Sequence, residues 1–282
     1  MSGPGGTPAL EKEKSAYQPR VALEFFKAGG KPEKFAEGET IFAEKEKGVL
    51  KKNRIYLVLN GEVALKLRGR TIDVVKAGRI FGELAAITGA PRSASAVAKS
   101  ACRVISLDNE EFESALRKKP AFALMLMSVM ITRLRDAIAA LGASGTLGED
   151  AMLKESSAFD PKHVPALVSG LSDEPVVYYD RNRVIVEAGQ AGLRMYVVTQ
   201  GTVAVTIGER IVERLGPGGV FGEAALVDRT PRLATVVAET DCALLPVTRN
   251  GFIGLVKMSP GFAEKMLSSL AERLRFLTAR LQ

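Results

Sequence analysis

A glycine-glutamate pair followed nine residues later by an arginine occurs twice in this chain. Phe81-Gly82-Glu83-Leu84-Ala85-Ala86-Ile87 leads to Pro91-Arg92-Ser93-Ala94-Ser95, and Phe221-Gly222-Glu223-Ala224-Ala225-Leu226-Val227 leads to Pro231-Arg232-Leu233-Ala234-Thr235. Glycine lets another group approach the backbone closely, a helical turn after it points free N–H groups outward, and arginine offers a two-pronged cation. Together these make a cradle for an anion. A glutamate beside the cradle would repel a phosphate, so it is better employed accepting a hydrogen bond from a neighbouring hydroxyl. A sugar phosphate meets both demands. Other chemistries have less support. The single histidine, His163, and the two cysteines, Cys102 and Cys242, are too few for a nitrogen–sulfur metal site or a disulfide framework. His163 follows Asp160-Pro161, which reads as a helix N-cap and first helical residue and places the histidine on a surface helix.

The elements that must position these residues are themselves duplicated. Residues 56–141 align with 196–281 at a constant offset of 140 without a gap, and 27 of the 86 positions are identical. Tyr56, Gly61, Gly78, Cys102, Phe112, Pro120, Arg133, Leu134 and Arg135 all recur. Upstream, Thr40-Ile41-Phe42 corresponds to Val184-Ile185-Val186, so the first copy has a loop longer by four residues. Each copy opens with short apolar runs such as Ile55-Tyr56-Leu57-Val58-Leu59 and Val203-Ala204-Val205-Thr206-Ile207, set off by glycine-containing turns and spaced about ten residues apart. That spacing predicts a β-sandwich or barrel. Each copy then closes with a helix. In the second, Leu267, Leu270, Leu274, Leu277 and Leu281 step by three and four, a narrow seam suited either to a partner helix in a homodimer or to covering its own barrel or capping the nucleotide. The first has Met127, Met130, Leu134, Ala137 and Leu141 there, a poorer seam that is expected to pack within the chain.

The expected organisation is a loose N-terminal leader over 1–34 with a short helix around Val21–Lys27, a first domain over 35–141, a linker over 142–160 and a second domain over 161–282. Hydrophobic residues at 46% suffice for two cores. No apolar run reaches the roughly 20 residues of a membrane span, and the first twenty residues lack the apolar core of a secretion signal, so the expected location is the cytoplasm. The net charge of +7 suits an anionic ligand or an acidic partner. Its densest basic stretch, Lys45, Lys47, Lys51, Lys52 and Arg54, is interleaved with Glu44 and Glu46 and reads as a solvated loop.

The repeated segment resembles the phosphate-binding cassette of cyclic nucleotide-binding domains, as found in bacterial cAMP receptor proteins and eukaryotic kinase regulatory subunits: F-G-E-L-A, a short spacer, then P-R-x-A. The resemblance covers roughly 35–141 and 172–282. It implies a mainly β fold with flanking helices, namely two tandem β-jelly-rolls (double-stranded β-helices), each closed by an α-helix. It further implies that Glu83 and Glu223 bind the ribose 2′-hydroxyl and Arg92 and Arg232 the cyclic phosphate, with backbone amides of Gly82, Ala85 and Ser93, and of Gly222, Ala225 and Leu233, completing the cradles. The implied ligand is cAMP or cGMP, with no cofactor or metal. Ser93-Ala94 is similar to the Arg-Ser-Ala run of bacterial cAMP receptors and favours cAMP. Leu233 departs from the pattern, since binding members carry a small residue there.

Several functional classes compete. A DNA-binding receptor needs a helix-turn-helix after the closing helix, and with the sequence ending at Gln282 no direct DNA binding is expected. A kinase regulatory subunit carries an inhibitory Arg-Arg-x-Ser-like segment, against which only Gln18-Pro19-Arg20-Val21-Ala22 stands here. The adopted reading is a non-enzymatic sensor and adaptor whose bound nucleotide changes the closing helices and hence the surface offered to a separate, unidentified protein partner. The alternative is a regulatory subunit of a kinase or other enzyme, or a structural protein with degenerate sites.

Overall fold

The computed structural model describes residues 17–46, 53–143, 157–171, 174–227 and 231–280. The first copy runs α1 (Pro19–Lys27), β1 (Lys31–Phe35), β2 (Thr40–Phe42), β3 (Ile55–Asn60), β4 (Glu62–Leu67), β5 (Arg70–Lys76), β6 (Ile80–Phe81), α2 (Glu83–Thr88), β7 (Ser95–Ala98), β8 (Cys102–Leu107), α3 (Asn109–Lys118) and α4 (Ala121–Ala143). The second runs α5 (Val164–Gly170), β9 (Val177–Tyr179), β10 (Val184–Val186), β11 (Arg194–Gln200), β12 (Val203–Ile207), β13 (Arg210–Leu215), β14 (Val220–Phe221), β15 (Thr235–Ala238), β16 (Cys242–Thr248), α6 (Arg249–Met258) and α7 (Pro260–Arg280). Strands pair antiparallel in four sheets, ordered β1-β8-β3-β6 and β2-β7-β4-β5 in the first copy, β9-β16-β11-β14 and β10-β15-β12-β13 in the second. The copies share one topology, the expected tandem jelly roll.

Burial explains the two kinds of strand in the sequence. Tyr56 and Val58 of β3 point between the sheets with Phe42, Val63, Val75, Phe81 and Val104. Ile55 and Leu57, on the opposite face, lie beneath the helices with Phe25, Phe112, Phe122 and Leu126. A strand covered on both sides is apolar throughout, whereas one half-exposed alternates. Gly61, at φ +83°, turns the chain from β3 in one sheet to β4 in the other. A Cβ there would meet the Ala101 carbonyl oxygen at 2.6 Å, and Gly201 adopts the same φ.

The packed unit begins earlier than the expected boundary. Phe25 and Phe26 of α1 are fully buried, the former stacked on Phe122 with ring centroids 3.5 Å apart, and β1 opens at Lys31. Apolar spacing on α1 ties it to the core even though its surroundings are polar. The basic loop is described only at its ends, Lys45 and Arg54; Lys47, Lys51 and Lys52 lie outside the described residues, as do residues 144–156 of the expected linker. The linker's last residues are packed: the Phe159 ring stacks on Phe262, with centroids 5.0 Å apart, and its N–H donates to the Gly218 carbonyl at 3.1 Å. His163 is exposed at the end of a 3₁₀ turn, where the Asp160 carboxylate accepts from the Lys162 N–H at 2.9 Å. No helix among the described residues is long and apolar enough to cross a membrane.

The leucines of the closing helix pack within the chain, the second of the two expected arrangements. Leu267 and Leu270 are buried in a core shared by both copies, and Leu274 and Leu277 cluster with Leu134, Ala137 and Ile138 of α4 and with Leu84 of α2. Leu281 and the side chain of Leu141 lie outside the described residues. The seam is thus filled from within: duplication supplies a partner helix on the same chain, at an effective concentration a second molecule does not match.

One carboxyl in this helical layer lacks a partner. Oε1 of Glu264 on α7 is buried without a hydrogen bond among the described residues, and α3 brings Glu113 and Arg117 near it. Burial foremost, then the negative charge of Glu113, pushes Glu264 up to about 7 from the ordinary carboxylate value, against the pull of Arg117. A group with a raised folded pKa stabilises below its unfolded pKa and loses that contribution as pH rises through the folded one. Glu264→Gln is expected to flatten the fall in melting temperature between pH 5 and 8 and to gain on the order of 1–3 kcal/mol at the upper end; thermal scans across that range check it.

Candidate functional site

In the first copy, β6 delivers Phe81 into the sandwich and the chain leaves it through Gly82, whose φ of +76° caps α2. This conformation aims the Gly82 carbonyl at Arg92, which donates through Nη1 at 2.9 Å and through Nη2 to the Arg54 carbonyl at 3.0 Å. The guanidinium lies 4.0 Å from the centroid of the Phe42 ring and is 6% exposed. A Cβ at Gly82 would stand 2.9 Å from Arg92 Nη1 and 3.0 Å from the Arg54 oxygen, so a side chain there would displace the arginine. The Arg92 backbone is fixed as well, accepting from Lys45 at 2.9 Å and donating to Glu46 at 3.2 Å. Burial lowers the Arg92 pKa, with Tyr56, Glu46 and Glu83 acting in the opposite sense. A cation in this state gains from an incoming anion.

Glu83, adjacent in sequence and 2% exposed, makes no ion pair with Arg92. Its Oε1 accepts instead from Nη1 of Arg133 on α4, the first copy's closing helix.

The second copy repeats this plan in its own numbering. Gly222, at φ +76°, presents its carbonyl to Arg232 Nη1 at 2.7 Å, and Nη2 donates to the Arg194 carbonyl at 2.8 Å. Burial lowers the Arg232 pKa, opposed by Tyr196 and Glu223. Glu223 Oε1 accepts from Nη1 of Arg273 on α7 at 2.8 Å. Arg273 is held harder than its counterpart: Nε donates to Glu213 on β13 at 3.2 Å and Nη2 to the Val220 carbonyl at 2.8 Å, with only 7% of the residue exposed. Burial opposes its charge, but Glu213 and Glu223 more than offset this and its pKa is raised.

Each expected cradle therefore brings its glycine, glutamate and arginine together, with two differences. Glu223–Leu226 forms a 3₁₀ turn where the first copy has the α-helix α2, and the Ala225 N–H is used within it, donating to the Gly222 carbonyl at 3.1 Å. The tighter i-to-i−3 bonding takes up an amide that the sequence assigned to the cradle. Ser93 is exposed, Ala85 buried, and Leu233, 37% exposed, lines an apolar cavity with Glu223 and Arg232. Leu134 and Ile138 of α4 wall that cavity from the first copy. The Arg275 side chain of α7 reaches the opposite way, donating to the Pro91 carbonyl of the first cassette at 3.2 Å. Sequence reasoning missed Arg133, Arg273 and Glu213. Recurrence of Arg-Leu-Arg at 133–135 and 273–275 was the available signal.

The family model described as the cyclic nucleotide-binding domain matches residues 32–119 and 176–259. The cAMP-dependent protein kinase regulatory subunit of Eremothecium gossypii is 27% identical over 218 residues, 77% of this chain. The chain spans 42% of that relative's length. Similar solved structures include the regulatory domain of Toxoplasma gondii PKA with cAMP, at 20% identity and a TM-score of 0.31 over 94% of this chain and 98% of that one. The catabolite activator protein of Thermus thermophilus has 24% identity and a TM-score of 0.41 over 58% of this chain and 72% of that one.

The unequal arginine clamps give a direct test. Arg273→Ala strands two buried carboxylates and is expected to cost about 3–5 kcal/mol. Arg133→Ala, whose side chain is 35% exposed and pairs with Glu83, is expected to cost visibly less. Chemical denaturation of the two variants measures the difference.

Proposed function

The chain belongs to the cyclic nucleotide-binding domain family, matched once in each copy, and from that premise we propose that it is a cyclic nucleotide-responsive regulatory subunit acting on a separate protein kinase chain. The observation that carries the binding part is the sorting of charge in each cassette. Arg92, buried, and Arg232, half-buried, each donate to two backbone carbonyls, and the neighbouring glutamates are turned away onto Arg133 and Arg273. Each cassette arginine therefore keeps its charge for an anion, and each glutamate has a second carboxylate oxygen for a hydroxyl. A 3′,5′-cyclic nucleotide supplies phosphate and ribose 2′-hydroxyl at that separation, with the amides of Gly82, Ala85, Ser93, Gly222 and Leu233 in support. Ser93-Ala94 favours cAMP over cGMP.

The kinase part rests on sequence likeness to the Eremothecium gossypii regulatory subunit and replaces the more general adaptor with an undefined partner. In this reading the chain performs no chemistry of its own. Ligand engaging Glu83 or Glu223 shares the carboxylate that holds Arg133 or Arg273, so occupancy is felt by α4 and α7 and through them by the partner. The first site is the stronger, because Leu233 occupies space that Ser93 leaves open.

Calorimetric titration with cAMP tests the site. Arg92→Ala and Arg232→Ala are each expected to cost their own site about 2–5 kcal/mol, since a buried phosphate loses its paired cation. The ligand 2′-deoxy-cAMP is expected to bind about 1–3 kcal/mol more weakly. Undiminished binding by the double arginine variant rejects the site; equal affinity for ribo and deoxy ligands removes the glutamates from it. The partner is tested by adding the chain to a cAMP-dependent kinase catalytic subunit, where inhibition relieved by cAMP is expected.

A further inference from the structure

The two copies differ in charge at a place between the sandwich and the closing helix. In the first, a cavity of about 430 Å³ opens between β5, the turn into β6 and α4, lined by Tyr17, Asp73, Lys76, Arg79, Thr132 and Arg133 among others. Three cations there face one carboxylate. At the positions 140 residues further on, Lys76 and Arg79 become Gly216 and Gly219, Thr132 becomes Glu272, Asp73 becomes Glu213 and Val74 becomes Arg214, so two cations, Arg273 and an Arg214 that pairs with Glu239 at 3.0 Å, stand with two carboxylates. Three of these four changes of charge run toward the negative.

Geometry explains why the first cavity is left open. In the second copy the Glu213 carboxylate reaches Arg273 at 3.2 Å and so bridges β13 and α7. Asp73 is one methylene shorter and turns back, its Oδ1 accepting from the Val74 N–H at 2.7 Å. Arg133 consequently has Glu83 on one side and the cavity on the other. Arg79 is steadied over the Tyr17 ring, 5.0 Å from its centroid, and the Tyr17 hydroxyl donates to the Gly78 carbonyl at 2.6 Å.

The geometry points to a second ligand site in the first copy, in which a small phosphate-bearing anion takes the place that the Glu213 carboxylate fills in the second copy and is held by Lys76, Arg79 and Arg133. Phosphate suits it better than a single carboxylate, having enough acceptor oxygens to meet two guanidinium groups and an ammonium at once. Because Arg133 also holds Glu83, such a ligand would alter the first cassette; this consequence rests on the nucleotide reading, whereas the binding itself does not.

Pyrophosphate is the probe, titrated into the full chain by calorimetry at fixed ionic strength. Saturable binding with a dissociation constant below about 1 mM is expected. Installing the second copy's residues, as Lys76→Gly with Arg79→Gly, is expected to weaken it roughly tenfold or more. Asp73→Glu removes no cation and restores the carboxylate opposite Arg133; it is expected to weaken pyrophosphate by about tenfold with the melting temperature held, which keeps the test open should the glycine variant fail to fold. No saturable binding by the wild type overturns the site. So does unchanged affinity in either folded variant, the result expected if pyrophosphate occupies the cassettes instead.

Discussion

A buried guanidinium must be satisfied without being neutralised, and the architecture of each copy follows from how that is done. Arg92, buried, and Arg232, half-buried, each donate to two backbone carbonyls, neutral partners that answer part of their hydrogen-bonding demand and leave their charge in place. One of those carbonyls belongs to a glycine at positive φ and the other to Arg54, just before β3, or to Arg194, which opens β11, so the strand starts are placed by the same contact. The glutamate next door would cancel the charge if it turned inward. It is drawn off by an arginine from the closing helix, and this is what links the cassette mechanically to α4 or α7.

Duplication then supplies what a single copy lacks. The apolar faces of α4 and α7 cover one another, Leu134 and Ile138 of the first copy wall the cavity of the second, and Arg275 of the second reaches Pro91 of the first. Within this shared frame the copies have diverged by small steps. A methylene at position 73 against 213 separates an open, cationic cavity from a closed ion-pair cluster, and a leucine at 233 against a serine at 93 separates an occupied site mouth from an open one.

Much of this was legible in the residues. The gapless offset of 140 over 56–141 implied a common topology before any strand was placed, and upstream of it, across a loop longer by four residues, the match of Thr40–Phe42 with Val184–Val186 marks β2 and β10. The glycine, glutamate and arginine of each cassette do meet. What stayed hidden depends on distance along the chain or on which surface covers which. Arg133 and Arg273 act fifty residues from the glutamates they hold, and no local pattern connects them. A leucine seam with 3-4 spacing specifies a stripe and leaves its partner open; here the partner is the chain's own first closing helix. The short helix α1, expected from the sequence, lies in a polar stretch, and its packing on the core through Ala22, Phe25 and Phe26 is what stayed hidden.

Hydrogen exchange of the full chain with and without cAMP tests the central claim most directly, because it reads the cassettes and the closing helices in one experiment. The account predicts protection of amides at 82–86 and 92–95, weaker protection at the corresponding positions of the second copy, and a change in exchange along α4 around Arg133. Protection confined to other surfaces, with both cassettes and α4 unchanged at saturating cAMP, would contradict it.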